Sequence, residues 1–375
     1  MWKIQLFKLD FGDAEKDAVR RVLESGWLTM GEENQKFEEE FGDYHKSKYC
    51  LSVSSCTAAL HLALVAVGIR PAEEVIVPSL TFVATANAVR YVGAIPVFAD
   101  VIGAERPVLD PLAVEKSITP QTRAIIVVHY AGYPCDMDAF RSLADRYNLK
   151  LIEDCAHCPG ARWNGRYLGT WGDVGCFSFF SNKNLSVGEG GAILTQSEEV
   201  YEKIKLLRSH GMTSLTLDRY KGHSFSYDVV ETGYNYRFDE IRAALALVQL
   251  HRLEEMNKKR RRLMSLYRTA LKDADVDLPF LDYEKAEGVD HIMPVFLHQG
   301  IDRQKVMEYM KEEGIQTSIH YPAIHRFSNF KGSRCGDLSV TEALSDRVVT
   351  LPLYPQMTED DVDLVVRTFK QAVAC

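Results

Sequence analysis

The sequence predicts an α/β protein: a mostly parallel central sheet covered by helices on both faces, with a smaller C-terminal α+β lobe. Three observations predict it. Through the first two thirds of the chain, short apolar strand runs alternate with helical patterns. Several of those strand runs are continuously apolar, as in strands buried on both faces. A single long helical pattern then begins near Asp239 and ends near Leu271, and the texture changes beyond it.

In chain order, a buried helix opens at Thr57 and runs through Val67. Val75-Ile76-Val77 is a strand stopped by Pro78. Phe82 to Val92 reads as helix, Ile95 to Phe98 as strand, and Ala124 to Val128 as a strand buried on both faces. Asp138 to Tyr147 is helical, Leu149 to Glu153 is the next strand, and Val174 to Phe180 and Ala192 to Thr195 follow. In the long pattern, Ile241, Leu245, Val248, Leu253 and Leu263 fall on a roughly helical period. Ile292 to Leu297 reads as strand and Asp302 to Glu313 as helix, with Gly314 closing it. Thr358-Glu359-Asp360-Asp361 opens the last helix as a capping box with Asp in place of Glu. These elements divide into a large domain, 1–249, and a small one, 250–375, joined by the helix from about 239 to 271.

The bulk composition excludes several classes. With 375 residues, 46% hydrophobic and 26% charged, the chain is an ordinary globular sequence. Its formal net charge of -8 argues against nucleic acid and anionic membranes as partners. No apolar run is long enough to span a bilayer, and the N-terminus lacks the apolar core of a signal peptide. Eight scattered cysteines fit free thiols in a reducing, cytoplasmic setting.

The stretch from Cys176 to Gly191 carries the strongest chemical signal. Lys183 follows an apolar strand and precedes the glycine-dense turn Gly188-Glu189-Gly190-Gly191. A lysine among apolar and small residues loses solvation, which lowers its pKa and frees a nucleophilic amine. That is the condition for a Schiff base with a carbonyl cofactor. Asp154 follows another strand. Ligands of open α/β sheets bind beyond the carboxyl ends of strands, although a helix N-cap is an equal reading of this residue alone. A lysine and an aspartate in one crevice fit pyridoxal phosphate: the lysine forms the imine and the aspartate keeps the ring nitrogen protonated. Small residues before the helix at Thr57 suggest a phosphate cradle, although Thr57 is equally a plain N-cap. Ser178 offers a second hydroxyl, or is simply a serine in a strand. Phe82 offers a face for a planar ring, or is a core aromatic.

Taken in order, these segments resemble the DegT/DnrJ/EryC1/StrS family of sugar aminotransferases, along nearly the whole chain. The matching segments are Gly26-Trp27-Leu28-Thr29-Met30-Gly31, Thr57 to Leu64, Pro78 to Asn87, His129-Tyr130-Ala131-Gly132 and Glu153 to His157. Ser178-Phe179, Lys183, Gly188 to Gly191, Gly233 to Arg237 and His320-Tyr321-Pro322 complete the series. The resemblance implies the type I fold of pyridoxal phosphate enzymes, and transfer of an amino group from an amino acid, glutamate above all, to a keto sugar. It implies Lys183 as Schiff-base lysine and proton shuttle, and Asp154 as partner of the pyridine nitrogen. Phe82 would stack on the ring and His157 would sit near the phenolic oxygen. Thr57, Ala58 and Ser178 would hold the phosphate. Asn235 would reach the cofactor of a neighbouring subunit, making the active site one shared across a homodimer. Thr29, Gly31, His320 and Tyr321 would face the substrate. The acceptor is expected to be a nucleotide-linked 3- or 4-keto deoxysugar; a cyclitol or other free ketone is the alternative. A non-catalytic binding protein on the same fold is the alternative of another class, against which the retained lysine and aspartate speak.

Three departures from the family pattern stand out. Cys56 replaces a usual glycine; a slightly tighter cradle is one outcome, and tolerance of the small side chain is the expected one. Arg106 to Asp110 replaces the family's turn sequence. His157 replaces a commoner glutamine; it can still donate a hydrogen bond, and is expected to add a titrating group. Two competing signals are weaker. Cys155, His157 and Cys158 lack a second cluster to complete a zinc site, so no metal is expected. The basic run Lys258 to Arg262 is expected to be a solvated helix face. The segment Met212 to Tyr227, with Arg219, Lys221 and His223, reads as a substrate-facing loop or an ordinary variable one.

Overall fold

Seven strands form the central sheet of the computed structural model, which describes residues 2–213 and 226–374. Arg219, Lys221 and His223 lie outside the described residues. The strands are β1 (Tyr49–Val53), β2 (Glu74–Pro78), β3 (Ile95–Ala99), β4 (Thr122–Val128), β5 (Lys150–Asp154), β8 (Val174–Ser178) and β9 (Gly191–Thr195). Between β5 and β8, a short hairpin places β6 (Arg162–Trp163) against β7 (Arg166–Tyr167). The order across the large sheet is β1-β9-β8-β5-β4-β2-β3. β3, β2, β4, β5 and β8 run parallel, whereas β9 is antiparallel to both its neighbours.

Both faces of the sheet are buried, which explains the continuous apolar runs. Ile125, Val127 and Leu151 point to one side, where Phe37, Phe41 and Phe140 pack. Ala124, Ile126 and Ile152 point to the other, against the helix Cys56–Ala66. That helix runs through the interior, with Ala58 through Leu64 buried and its two ends half-buried.

The long helix Glu240–Ala270 starts at an Asp239 cap, whose side chain accepts the Arg242 N–H at 3.0 Å. Its first half packs against the helices Asp13–Ser25 and Glu32–His45 and sends Ala243, Ala246 and Leu250 into the core of the large sheet. Its second half brings Leu263, Met264 and Tyr267 to a second core around a three-stranded sheet. This sheet is β10 (Val276–Asp277), β12 (Met293–Leu297) and β13 (Val348–Leu351), in antiparallel order β10-β12-β13. The short β11 (Ala286–Glu287) pairs instead with β6. The first residues of the chain also join the second core: Ile4 is buried there and bridges to Ile315.

Several local expectations are borne out and some are corrected. Thr358 and Asp361 form the reciprocal capping box, Asp361 N–H to Thr358 Oγ1 at 3.1 Å and Thr358 N–H to Asp361 Oδ2 at 2.8 Å. The turn after Arg106 forms, with Asp110 capping the helix Pro111–Ser117. The helix expected to open at Thr57 starts at Cys56 and is capped by Ser55, whose hydroxyl accepts the Ala58 N–H at 3.1 Å. The helix expected from Phe82 begins only at Ala84. The basic run is not one solvated face. Arg260 is buried and donates to the carbonyls of His291 and Leu353, each at 3.1 Å, while its neighbours remain outside. Burial lowers its pKa to about 10. Among the described residues, no helix is long and apolar enough to cross a membrane.

Candidate active site

A cavity of about 350 Å³ opens where the carboxyl ends of β4, β5 and β8 meet the N-terminus of the helix Cys56–Ala66. This is where ligands of open α/β sheets are held. Its lining includes Thr57, Phe82, Asp154, His157, Ser178 and Lys183, together with His320 and Tyr321 from the connection before β13. Strand ends bring Asp154 and Ser178 to one rim, and the turn after β8 brings Lys183 to the same space.

Asp154 is buried, and one oxygen, Oδ2, accepts the Thr85 hydroxyl at 2.8 Å. The other, Oδ1, accepts the Ala156 N–H at 3.1 Å. Burial pushes its pKa up, while these donors and the charge of Lys183 pull it back down. The Thr85 hydroxyl pairs in turn with that of Thr81 at 3.0 Å. Asp154 is the last residue of β5 and caps no helix.

Lys183 has its pKa lowered to about 8 by burial, opposed by Cys56 and Asp154. At pH 7 about a tenth of its amine is therefore the free nucleophile, far more than for an ordinary lysine. Phe82 is 58% exposed, which rules out the core-aromatic reading; its ring lies 6.0 Å from that of Tyr321. The Cys56 side chain points toward Asp154, its sulfur 4.0 Å from Oδ1 and 3.6 Å from the Cys176 carbonyl. It fills space beside the carboxylate.

His157 corrects another expectation. Its Nδ1 accepts the Ala131 N–H at 3.3 Å and its Nε2 lies 3.0 Å from the Tyr321 hydroxyl. Burial first, then the charges of Lys183 and His320, push its pKa well below the ordinary histidine value. It is a neutral hydrogen-bonding group and adds no titration near neutrality. His320 is likewise lowered to about 4 by burial and by Lys183.

Four sequence-predicted residues do not line this cavity. Ala58 is buried behind it, its N–H taken by Ser55. Gly31 is buried and donates its N–H to Glu240 at 2.8 Å; a Cβ there would meet Trp27 at 2.7 Å and Glu240 at 2.9 Å. Thr29 is half-buried outside the cavity lining, and Asn235 is exposed at the surface, bridging to Ser209. Conversely, Ser55, Thr81, Thr85, Asn182 and Glu189 line the cavity and were missed by sequence reading. Threonines inside a helical pattern carry no sequence signal of a carboxylate above them.

The Cys155-His157-Cys158 grouping is replaced in space by His129, Cys155 and Cys158, whose ligating atoms lie within 4.8 Å. Both nitrogens of His129 are already engaged, Nδ1 by the Cys135 N–H and Nε2 by Glu153.

The model of the DegT/DnrJ/EryC1/StrS aminotransferase family matches residues 10–370. The chain belongs to this family. Spore coat polysaccharide biosynthesis protein SpsC of Bacillus subtilis is 38% identical, over 96% of this chain and 95% of its own. DesV of S. venezuelae, solved with a ketimine intermediate, superposes with a TM-score of 0.92 at 33% identity, covering 100% of both chains. Spr1654 of Streptococcus pneumoniae, solved in its PLP form, gives 0.91 at 26% identity, with 97% of each chain covered. The fold is therefore that of the pyridoxal phosphate-dependent sugar aminotransferases, and pyridoxal phosphate is the cofactor.

The residues present fit that group. A buried acid, an enclosed amine and an exposed aromatic face share one cavity with a helix N-terminus. The first-turn N–H groups of Cys56 and Thr57 have no partner within the helix, as at any helix start. Gly191 lies directly against this turn: a Cβ there would meet the Ser55 carbonyl carbon at 2.7 Å and the Cys56 nitrogen at 2.8 Å. Asn182 Oδ1, on the lysine turn, is buried without a hydrogen-bond partner.

Proposed function

We propose that this aminotransferase moves an amino group from L-glutamate to a nucleotide-linked 3- or 4-keto deoxysugar, in a homodimer whose active sites are shared. The observation that supports the site assignment is the enclosure of the Lys183 amine and the Asp154 carboxylate in one cavity with a helix N-terminus. Pyridoxal phosphate, when bound, supplies a carbonyl for the amine and a ring that accepts the electron pair released at the donor's α-carbon.

The chain's own residues supply the rest. Asp154, oriented by Thr85 and the Ala156 N–H, pairs with the ring nitrogen. Thr57, Ser178 and the first-turn N–H groups receive the phosphate, with Ala58 closing the turn from behind. Phe82 covers one ring face, and His157 offers a neutral N–H near the phenolic oxygen. Lys183 Nζ, as the free amine, takes the α-proton of the donor and returns it one position away. His320 and Tyr321 meet the substrate from the small lobe. Thr29, Gly31 and Asn235 lie outside this chain's cavity and belong, on this reading, to the side that meets the partner subunit. Donor and acceptor use one site in turn, so the kinetics are ping-pong. The sugar acceptor is supported by the polysaccharide-biosynthesis name carried by SpsC. The cytoplasm, where nucleotide sugars and glutamate are at hand, is the proposed setting.

The test is borohydride reduction of the holoenzyme followed by peptide mapping. The label is expected on Lys183, and Lys183→Ala is expected to lose it together with amino transfer. Labelling of another lysine would overturn the assignment. Assays with glutamate and paired nucleotide-linked and free ketones then decide the acceptor; turnover of free cyclitol ketones alone would replace the sugar reading.

A further inference from the structure

Behind His157 lies a buried polar chain that the chemistry above does not use. The His157 ring packs on that of His291 at 4.3 Å between centroids, tilted by 43°. His291 Nδ1 lies 3.0 Å from Asn184 Oδ1. The Asn184 amide nitrogen donates to the Val289 carbonyl at 3.0 Å and to Asn257 Oδ1 at 2.9 Å. Asn257, on the long helix, donates to the Pro159 carbonyl at 3.1 Å. His157, His291, Asn184 and Asn257 are all buried.

The hydrogen-bond pattern fixes the protons. A carbonyl only accepts, so the Val289 oxygen requires the amide nitrogen of Asn184 to face it. The remaining Asn184 atom is then oxygen, and His291 must carry its proton on Nδ1. The Ala131 N–H occupies His157 Nδ1, so neutral His157 carries its proton on Nε2, facing Tyr321 and the cavity. Ala131 is anchored on its other side as well, since its carbonyl accepts the backbone N–H of His291 at 2.9 Å. The Ala131 N–H thus determines which His157 nitrogen carries the proton, and the His291 ring packed against it braces the direction in which that N–H points. The same chain grips Asn184, the residue next to Lys183.

We infer that Asn184 and His291 are positioning residues: their hydrogen bond braces the ring on which His157 packs, and so ties the direction of the His157 Nε2–H to the lysine turn. The inference rests on the reading that His157 serves the cofactor's phenolic oxygen. It separates this pair from ordinary core polar residues, because their loss should change the cofactor's electronic state and not only stability.

The experiment uses the holoenzyme and follows the pH midpoint of the bound cofactor's visible band. His157→Leu is expected to move that midpoint by about half a pH unit or more, a modest local electrostatic change. His291→Leu and Asn184→Leu should move it in the same direction, and His291→Asn, which keeps an N–H toward Asn184, should restore it. If His157→Leu shifts the band while His291→Leu and Asn184→Leu do not, the positioning role is overturned and the reading of His157 stands. If His157→Leu leaves the band unmoved, that reading falls and the inference with it. Should the leucine variants fail to fold, Asn184→Ser against His291→Asn carries the same comparison; a wild-type midpoint in Asn184→Ser overturns the inference.

Discussion

Glu153 and Asp154 are consecutive buried carboxylates on β5, and their side chains leave opposite faces of the sheet. Glu153 accepts four donors: the Gly169, Trp171 and Gly172 N–H groups at 2.8, 2.7 and 2.7 Å, and His129 Nε2 at 3.1 Å. Asp154 accepts two close donors, from Thr85 and Ala156, with the Cys56 thiol a weak third at 4.0 Å, and opens on the cavity. A carboxylate has room for about four hydrogen bonds. Glu153 is saturated and therefore structural; Asp154 keeps capacity for a ligand. Saturation, rather than burial or sequence position, separates the two roles.

Glu153→Gln strikes the saturated partner. The Trp171 and Gly172 N–H groups keep only a neutral carbonyl, while the Gly169 N–H and His129 Nε2 face the amide nitrogen, so unfolding free energy should fall by about 3–5 kcal/mol, the range for breaking a buried charged network. Denaturant titration reads this, with the surviving folded fraction still taking up cofactor. A midpoint like the wild type would mean that the four contacts add nothing and the contrast is only geometric.

Asp154→Asn strikes the open partner. The expected result is a loss of about 10²–10³-fold in kcat, the size of one lost preorganised electrostatic contact. The denaturant midpoint should stay close to wild type. A large stability loss with normal turnover would exchange the roles of the two residues.

The smallest effect is on pH dependence. Lys183 has a depressed pKa of about 8, so its free amine predominates above that pH. Cofactor uptake by the apoprotein should accelerate about tenfold between about pH 7 and pH 9, as the neutral fraction rises. Asp154 holds the lysine pKa up, so Asp154→Asn should move this profile to lower pH, whereas Glu153→Gln should leave it in place. Stopped-flow absorbance resolves the shift. Equal profiles in all three proteins would show that Asp154 and Lys183 do not sense one another.

What could be read from the sequence follows from this contrast. Lys183 and Asp154 were legible because strand ends and a glycine turn have local patterns. Glu153 was silent, because its partners are backbone N–H groups on a loop after the strand. Thr85 was silent for a related reason: its partner lies across the sheet. The antiparallel direction of β9 was illegible, since a strand apolar on both faces carries no signal of polarity. The cap at Ser55 was misplaced by two residues because Ser55 and Thr57 have the same capping chemistry. His157 looked like a titrating group because its burial against His291 depends on residues far along the chain.

The reversed direction of β9 has a kinetic consequence. Because β8 and β9 are antiparallel neighbours, the chain leaves Ser178, passes Lys183 and returns at Gly191 opposite Ser178, closing the lysine turn as a local loop. Loops of roughly this length close in about 10–100 ns, whereas parallel crossovers wait for distant segments to assemble. The nucleophile is thus carried by a contact the chain makes with itself early. Asp154 and the helix at Cys56 must be brought to it across the sheet, and the pocket matures around a lysine turn already in place.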